Sequence, residues 1–262
     1  MQGRESMPRR AALGLVASFV LALAASSLPA DAAATITISG TVRCPSGAKV
    51  VGVWVQSSGG GSRFASRWGY PGNATVSGYA AAVNPGSIEL HVGCGGSEAS
   101  WASDQWTPKV TASAGRNLNA ICSGPAGTSR KVACAFPARP NLAAPSTNTF
   151  YAGNCTRYAA DQWKKATGKF PSWRENAQYW NDNAARQGWT VTGAPAPRSV
   201  VVFEPGVQGA SKDGHVAWVN SISYRSDGWY LNVTEMNFAI RGGISSRTVK
   251  HVTGMNYIWA PG

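Results

Sequence analysis

The spacing of apolar residues divides the chain into two halves. Over residues 34–137, short runs rich in Val, Ile and Thr are separated by glycine and serine clusters. Residues 87–92 alternate polar and apolar side chains, which is the pattern of a half-buried strand. No helical period persists in this half. The pattern predicts a small antiparallel β-sandwich over residues 34–137.

The second half predicts helices first and strands afterwards. One helix is predicted over residues 155–167, because apolar residues recur there at helical spacing and would lie on one face: Cys155, Ala159, Trp163 and Ala166. A second is predicted over residues 175–187, and a glycine follows each. Strands are predicted at residues 200–203, 216–222, 229–234 and 256–260. This order indicates an α+β domain over residues 147–262, joined to the β-sandwich by a proline-containing linker at 138–146.

The N-terminal residues 1–32 have the pattern of a secretory signal. Arg9 and Arg10 precede an apolar run at residues 11–25, and small residues surround a cleavage site at 30–32. A membrane anchor is the alternative, but serines and a proline at 26–29 weaken the second half of the run. The pattern predicts an exported bacterial protein, extracellular or associated with the cell wall. We expect no stable membrane insertion once the signal is removed.

Export changes the interpretation of the five cysteines, because cysteines pair in oxidising compartments. Four of them lie in the first half, and three pairings are open to four cysteines. A short hairpin-sized loop favours Cys122–Cys134, which leaves Cys44–Cys94. Cys155 then remains as a single thiol in the second half.

The full chain carries a formal net charge of +12, and +11 remains without residues 1–32. A positive field steers a protein toward polyanions. Nucleic acid is not expected, because the sequence has no concentrated Lys/Arg tract, zinc-ligand spacing or RNP-like aromatic motif. Peptidoglycan and anionic wall polymers are the expected partners, with solubility as the alternative role of the charge. We expect a monomer.

Cys155 has the sequence context of a nucleophile. Asn154 is a candidate N-cap, which would place Cys155 in the first turn of its helix. The helix dipole and the unpaired N–H groups there favour a thiolate and could stabilise an oxyanion. An inert cysteine on the apolar face of the helix is the alternative.

A nucleophilic cysteine needs a base, and the chain has three histidines. His91 lies in the alternating strand of the first half, and His251 has no glycine or carboxylate pattern nearby. His215 follows Gly214 at the start of a predicted buried strand. Glu235 ends the next predicted strand and could hold the ring of His215, with Asn237 two positions further on.

The second half resembles the CHAP domain, the cysteine- and histidine-dependent amidohydrolase/peptidase family of the papain-like superfamily. Five segments follow the order of the family over about residues 146–260: 154–159 (NCTRYA), 176–180 (NAQYW), 188–189 (GW), 214–219 (GHVAWV) and 234–237 (TEMN). The chain departs from the family at Pro197-Arg198-Ser199, where a glycine-containing turn is usual.

This resemblance implies a papain-like fold in which Cys155 is the nucleophile and His215 the base, with Glu235 and Asn237 as orienting groups. It also implies hydrolysis of an amide bond in peptidoglycan: N-acetylmuramoyl-L-alanine amidase or peptide-bridge endopeptidase activity. The alternative is a wall-binding or adhesive protein with a non-catalytic CHAP-like fold. No cofactor or metal is expected, since no dense Asp/Asn loop lies beside Cys155.

The β-sandwich is rich in tryptophan. Packing is the default role of these rings, and a sugar-stacking platform is the alternative for four of them: Trp54, Trp68, Trp101 and Trp106.

Overall fold

The computed structural model of the chain describes residues 34–45, 47–69, 74–124, 129 and 133–261. The predicted signal peptide, residues 1–32, lies outside the described residues. The structure is mostly β-sheet, with few helices and with disulfides.

Eleven strands are described in the first half. They are β1 (Ile36–Arg43), β2 (Val50–Ser57), β3 (Arg63–Phe64), β4 (Ser66–Gly69), β5 (Val76–Val83), β6 (Gly86–Gly96), β7 (Trp101–Trp106), β8 (Val110–Ala112), β9 (Arg116–Asn117), β10 (Ala120–Cys122) and β11 (Cys134–Ala135).

These strands form two sheets that share one hydrophobic core. The first has the order β11-β10-β1-β5-β4, with β9 also paired to β1. The second has the order β3-β2-β6-β7, with β8 also paired to β6. Apolar side chains of both sheets meet in this core, among them Ile38 and Tyr79 of the first and Val53 and Leu90 of the second. Alternation along the strands sends every second residue into the core and the others outward.

Both disulfides that the sequence favours are present. Cys44–Cys94 joins the end of β1 to β6 and therefore connects the two sheets. Cys122–Cys134 joins the neighbouring strands β10 and β11.

The second half follows the predicted order of elements. They are α1 (Cys155–Thr167), a 3-10 turn (Ala177–Tyr179), α2 (Trp180–Arg186), β12 (Val191–Thr192), β13 (Ser199–Phe203), a 3-10 turn (Val207–Gly209), β14 (His215–Arg225), β15 (Gly228–Met236), β16 (Ile244–Lys250) and β17 (Met255–Trp259). The strands form one sheet in the order β12-β17-β13-β14-β15-β16.

Apolar side chains cover both faces of the central strand β13. Val200 and Val202 pack with Trp163 of α1, while Val201 and Phe203 belong to a separate cluster. All five residues of β13 are buried, which explains the apolar run of residues 200–203, and the buried hydroxyl of Ser199 donates to the carbonyl of Ala196. The cluster of Val201 also contains Val76 of the first half, so the two halves share apolar contact.

The helix predicted over residues 175–187 is shorter in the structure, which has the 3-10 turn followed by α2. Asn176 has an extended ψ of 158° and donates its side-chain amide to Asp213. The backbone N–H of Gln178 donates to the carbonyl of Asp213. These bonds hold the segment against the loop that precedes β14 and keep residues 175–176 out of the helix.

The predicted linker has no helix or strand between residues 138 and 146, and it is hydrogen-bonded to the second half. The N–H of Ala138 donates to Thr190, and Lys169 donates to the carbonyl of Leu142. The domain boundaries themselves stay a prediction. At the departure from the family pattern, Arg198 adopts a φ of 57°, a left-handed conformation that glycine adopts at no steric cost.

Candidate active site

Cys155 is the first residue of α1 and the one cysteine of the chain without a disulfide. Asn154 takes the extended N-cap conformation, and its carbonyl accepts the N–H groups of Arg157 and Tyr158. Its side chain makes no capping bond. The thiol therefore lies at the positive end of a 13-residue helix and is partly accessible.

His215 begins β14, immediately after a turn that requires glycine. Gly214 has a φ of 75°, and a Cβ there would approach the backbone nitrogen of Gln178 to 2.7 Å. The close approach fixes the start of β14 against the loop that leads to α2. The ring of His215 is 5% exposed and packs between the rings of Phe203 and Phe238.

Glu235 holds the ring of His215 from the adjacent strand β15. Its Oε2 lies 2.9 Å from Nε2 of His215, and its side chain is fully buried. This bond occupies Nε2, so Nδ1 is the ring nitrogen that remains for the interaction of His215 with Cys155. The structure thus brings together the three predicted residues Cys155, His215 and Glu235.

The protonation of His215 follows from these neighbours. Burial disfavours the imidazolium, but hydrogen bonds and charge interactions with Cys155 and Glu235 outweigh it and raise the pKa of His215 from 6.5 to about 9. At neutral pH His215 is therefore a cation. It is positioned to deliver a proton to a group that lies beside the sulfur of Cys155.

Asn237 lies just beyond the end of β15. Its φ of 60° places it in the turn between β15 and β16, where its Oδ1 accepts the N–H of Gly242 at 2.9 Å. It lines the cleft at Cys155, while the bond to the ring of His215 comes from Glu235. The orienting role of Asn237 therefore stays a prediction.

Arg247 is a contact of the site that the sequence did not indicate. Its Nε donates to Oε1 of Glu235 at 2.7 Å, and its Nη1 donates to the carbonyl of Gln208 at 2.9 Å. Its guanidinium carbon lies 3.6 Å from the centre of the ring of Phe238, which itself packs on His215. Arg247 thus satisfies the second oxygen of the buried Glu235 carboxylate.

The cleft in front of Cys155 has a volume of about 260 Å³. Its walls carry both apolar and charged groups: Phe150, Tyr151, Arg174, Glu175, Asp213 and Asn237 among them. Tyr151 is 85% exposed at the edge. An open cleft of this kind can admit an extended polar chain to the sulfur.

The other two histidines lie elsewhere. His91 belongs to β6, 3.3 Å from Asp104, and His251 follows β16, 2.6 Å from the hydroxyl of Tyr257. Within the described ranges, no group of three or more His, Cys, Asp or Glu side chains could hold a metal ion. Among those same residues, no helix combines the length and apolar character needed to cross a membrane.

Comparisons with known proteins find similarity to staphylococcal secretory antigens over part of the chain. The chain is 32% identical over 121 residues to staphylococcal secretory antigen SsaA of Staphylococcus epidermidis, covering 45% of this chain and 43% of that protein. It is 32% identical over 114 residues to secretory antigen ssaA2 of Staphylococcus aureus, covering 42% and 39%. The chain therefore spans less than half the length of these curated relatives.

Among solved structures, a similar chain is an N-acetylmuramoyl-L-alanine amidase from Staphylococcus aureus. It is 32% identical, with 41% of this chain and 30% of that chain covered and a TM-score of 0.37. The family model of the CHAP domain matches residues 145–237, the range that contains Cys155, His215 and Glu235. Residues 145–237 therefore belong to the CHAP domain family.

Proposed function

We propose that this chain is a secreted peptidoglycan hydrolase that cleaves an amide bond through a Cys155 acyl-enzyme. The observation that carries the proposal is the position of Cys155 at the first turn of α1, where it interacts with His215, whose ring is held by the buried Glu235. The CHAP domain supports a hydrolase, and the names of the staphylococcal relatives support secretion.

The geometry suits acyl transfer. The Cys155 thiolate adds to the carbonyl carbon, and the N–H groups of the first helical turn can stabilise the oxyanion. The C–N bond then breaks as the His215 imidazolium gives its proton to the leaving amine, which leaves a thioester on Cys155. A water molecule next gives a proton to His215 and attacks the thioester. This step releases the carboxylic acid and restores the thiolate and the imidazolium.

The substrate of the proposal is an amide of the bacterial wall, either the bond between N-acetylmuramic acid and L-alanine or a bond in the peptide bridges. The net charge of +11 that remains without residues 1–32 supports attraction to an anionic wall. The cleft carries both signs of charge, in Arg174 and in Glu175 and Asp213, which suits a peptide with free amino and carboxyl groups.

The test is loss of turbidity of purified walls, with parent chain and Cys155→Ala compared at equal concentration. We expect the variant to lose at least about 10³-fold in rate, because it lacks the sulfur on which the proposed acyl-enzyme forms. New amino termini in the digest identify the bond. Equal clearing by both proteins would exclude the mechanism, and a folded parent chain without any release would favour a non-catalytic wall-binding protein.

A further inference from the structure

The outward face of the second sheet carries aromatic side chains. Val53 and Val55 of β2 are fully buried in the core, so the residues between and beside them, Gly52 and Trp54, point outward. Trp54 pairs across the sheet with Phe64 on one side and with His91 on the other. A row of aromatic rings therefore crosses this face.

Trp101 lies flat against this face because two glycines leave room for it. A Cβ added at Gly52 or at Gly93 would overlap the indole ring. These two glycines are directly opposite each other on β2 and β6. One face of the indole ring therefore packs directly on the backbone of β2 and β6. Trp101 also lines a cleft of about 230 Å³.

Phe64 stands at the edge of this cleft and is 62% exposed. Its ring meets Trp54 edge-on at 5.0 Å and Trp101 edge-on at 5.9 Å. Two neighbours therefore hold an exposed ring in one orientation. Such a ring has little conformational freedom to lose when a ligand binds.

A charged pair closes the same cleft. Arg67 is mostly buried, donates Nη1 to the carbonyl of Val50 at 2.9 Å and pairs through Nη2 with Glu98. The Glu98 side chain is 81% exposed. The cleft therefore combines aromatic surfaces with a fixed guanidinium and an accessible carboxylate.

We propose that this cleft, lined by Gly52, Phe64, Arg67, Glu98 and Trp101, binds one sugar ring of a glycan strand. A pyranose has C–H groups on its faces, which stack on the electron-rich face of an aromatic ring, and hydroxyl groups around its edge. Arg67 can donate to those hydroxyls and Glu98 can accept from them. The choice of the glycan strand of peptidoglycan rests on the proposed function.

Size and charge favour a sugar over other ligands. The volume of about 230 Å³ is below the ~300–1,000 Å³ of pockets for drug-sized ligands and suits one ring of a longer chain. The carboxylate of Glu98 disfavours a phosphate-rich polymer at this point, although the chain as a whole is basic. Soluble proteins rarely expose clustered apolar surface to water, so a group of aromatic rings on this face indicates a binding site.

The test measures binding in the Cys155→Ala background of the full chain, so that the walls are not digested. Walls stripped of anionic polymers are pelleted with the protein at low salt and at ~1 M NaCl, where charge interactions are screened within about 3 Å. We expect binding to persist at high salt and to be inhibited by soluble β-1,4-linked N-acetylglucosamine oligomers. Phe64→Ala and Trp101→Ala should each weaken it about tenfold.

Two variants serve as controls. Tyr224→Ala removes a ring that is 43% exposed on the other half of the chain, and binding should be unchanged. Phe64→Trp keeps an aromatic surface and should retain binding. Because Phe64 is exposed, Phe64→Ala decides the result if Trp101→Ala unfolds. Unchanged binding by Phe64→Ala, or loss of all binding at high salt, would overturn the sugar site.

The outcome is separable from that of the proposed hydrolysis. With Cys155 restored, Phe64→Ala should cleave a short soluble muropeptide at the parent rate, since the cleft at Cys155 is a different one. If Phe64→Ala lowers both wall binding and the rate of muropeptide cleavage, the proposal that the sugar site is separate from the cleft at Cys155 is overturned. Hydrolysis that fails while binding persists refutes the enzyme and leaves the sugar site standing.

Discussion

His215 is the first residue of β14 and is buried, while His251 follows β16 in the same sheet and is partly buried, and their pKa values are shifted in opposite directions. Burial lowers the pKa of His251 to about 4, beside the hydroxyl of Tyr257. Burial also disfavours the charged form of His215, but the thiol of Cys155 and the carboxylate of Glu235 raise its pKa to about 9. One ring is neutral at pH 7 and the other is a cation.

The difference shows what makes a histidine suitable for catalysis in this fold. Removal from water alone yields a neutral ring, which cannot give a proton to a leaving amine. The carboxylate of Glu235 at Nε2, together with the interaction with Cys155, keeps the proton on His215. The predictions below test how far the behaviour of His215 depends on each partner.

The largest expected effect within the comparison comes from Glu235→Gln. The substitution keeps the size of the side chain but removes the charge beside Nε2 of His215. We expect turnover of walls to fall by about 10²- to 10⁴-fold, as for other changes of the orienting acid in such triads. The measurement is the initial rate of wall clearing, with Asp227→Asn, an exposed carboxylate paired with Lys250, as the control.

The pH dependence of the rate shows in which direction Glu235 shifts the pKa of His215. In the parent, acylation needs the imidazolium, so the rate should fall as pH rises through about 9. Without Glu235 one of the groups that raises the pKa of His215 is gone, and the alkaline limb should move to lower pH. An alkaline limb that stays in place in Glu235→Gln would contradict the assigned role.

A smaller effect is expected from Arg247→Gln, which acts on His215 through Glu235. The substitution leaves Oε1 of a fully buried carboxylate without its charged partner. We expect a loss of about 3 kcal/mol in the free energy of unfolding, as for the removal of one partner of a buried pair. Urea unfolding measures it.

Arg225→Gln is the matched control, because Arg225 lies over the ring of Tyr230 and is exposed. It should change the free energy of unfolding by less than about 0.5 kcal/mol. If Arg247→Gln changes the free energy of unfolding as little as Arg225→Gln does, the ion pair with Glu235 contributes little to stability. If Arg247→Gln lowers the free energy of unfolding but leaves the pH profile unchanged, Arg247 stabilises the fold and does not affect the pKa of His215.

The sequence predicted the elements that carry strong apolar patterns. The stripe of Cys155, Ala159 and Trp163 gave the bounds of α1 as the structure has them. The apolar runs of β13 and β14 were predicted for the same reason. β16 was missed, because an edge strand with a single buried residue has no apolar pattern to detect.

The same limit applies to the site. Cys155, His215 and Glu235 could be named because each has a local signal or a place in the CHAP pattern. Arg247 lies on β16, and its contact with Glu235 depends on the register in which Arg247 pairs with Val233. Register is set by which residues are buried and by the geometry of the turn, so nothing local to Arg247 distinguishes it from the other arginines of the chain.

The smallest expected effect is that of His251. Its ring should stay neutral down to about pH 4, while His215 should stay charged up to about pH 9. NMR titration of the ring protons from pH 4 to pH 10 measures both, with His251→Gln to assign the signals. That variant should retain activity within about twofold, because the cleft at Cys155 is lined by other residues and the ring of His251 bonds to Tyr257. A pKa near 6.5 for both rings would mean that burial and partners cancel at each, and the contrast between the two histidines would be lost.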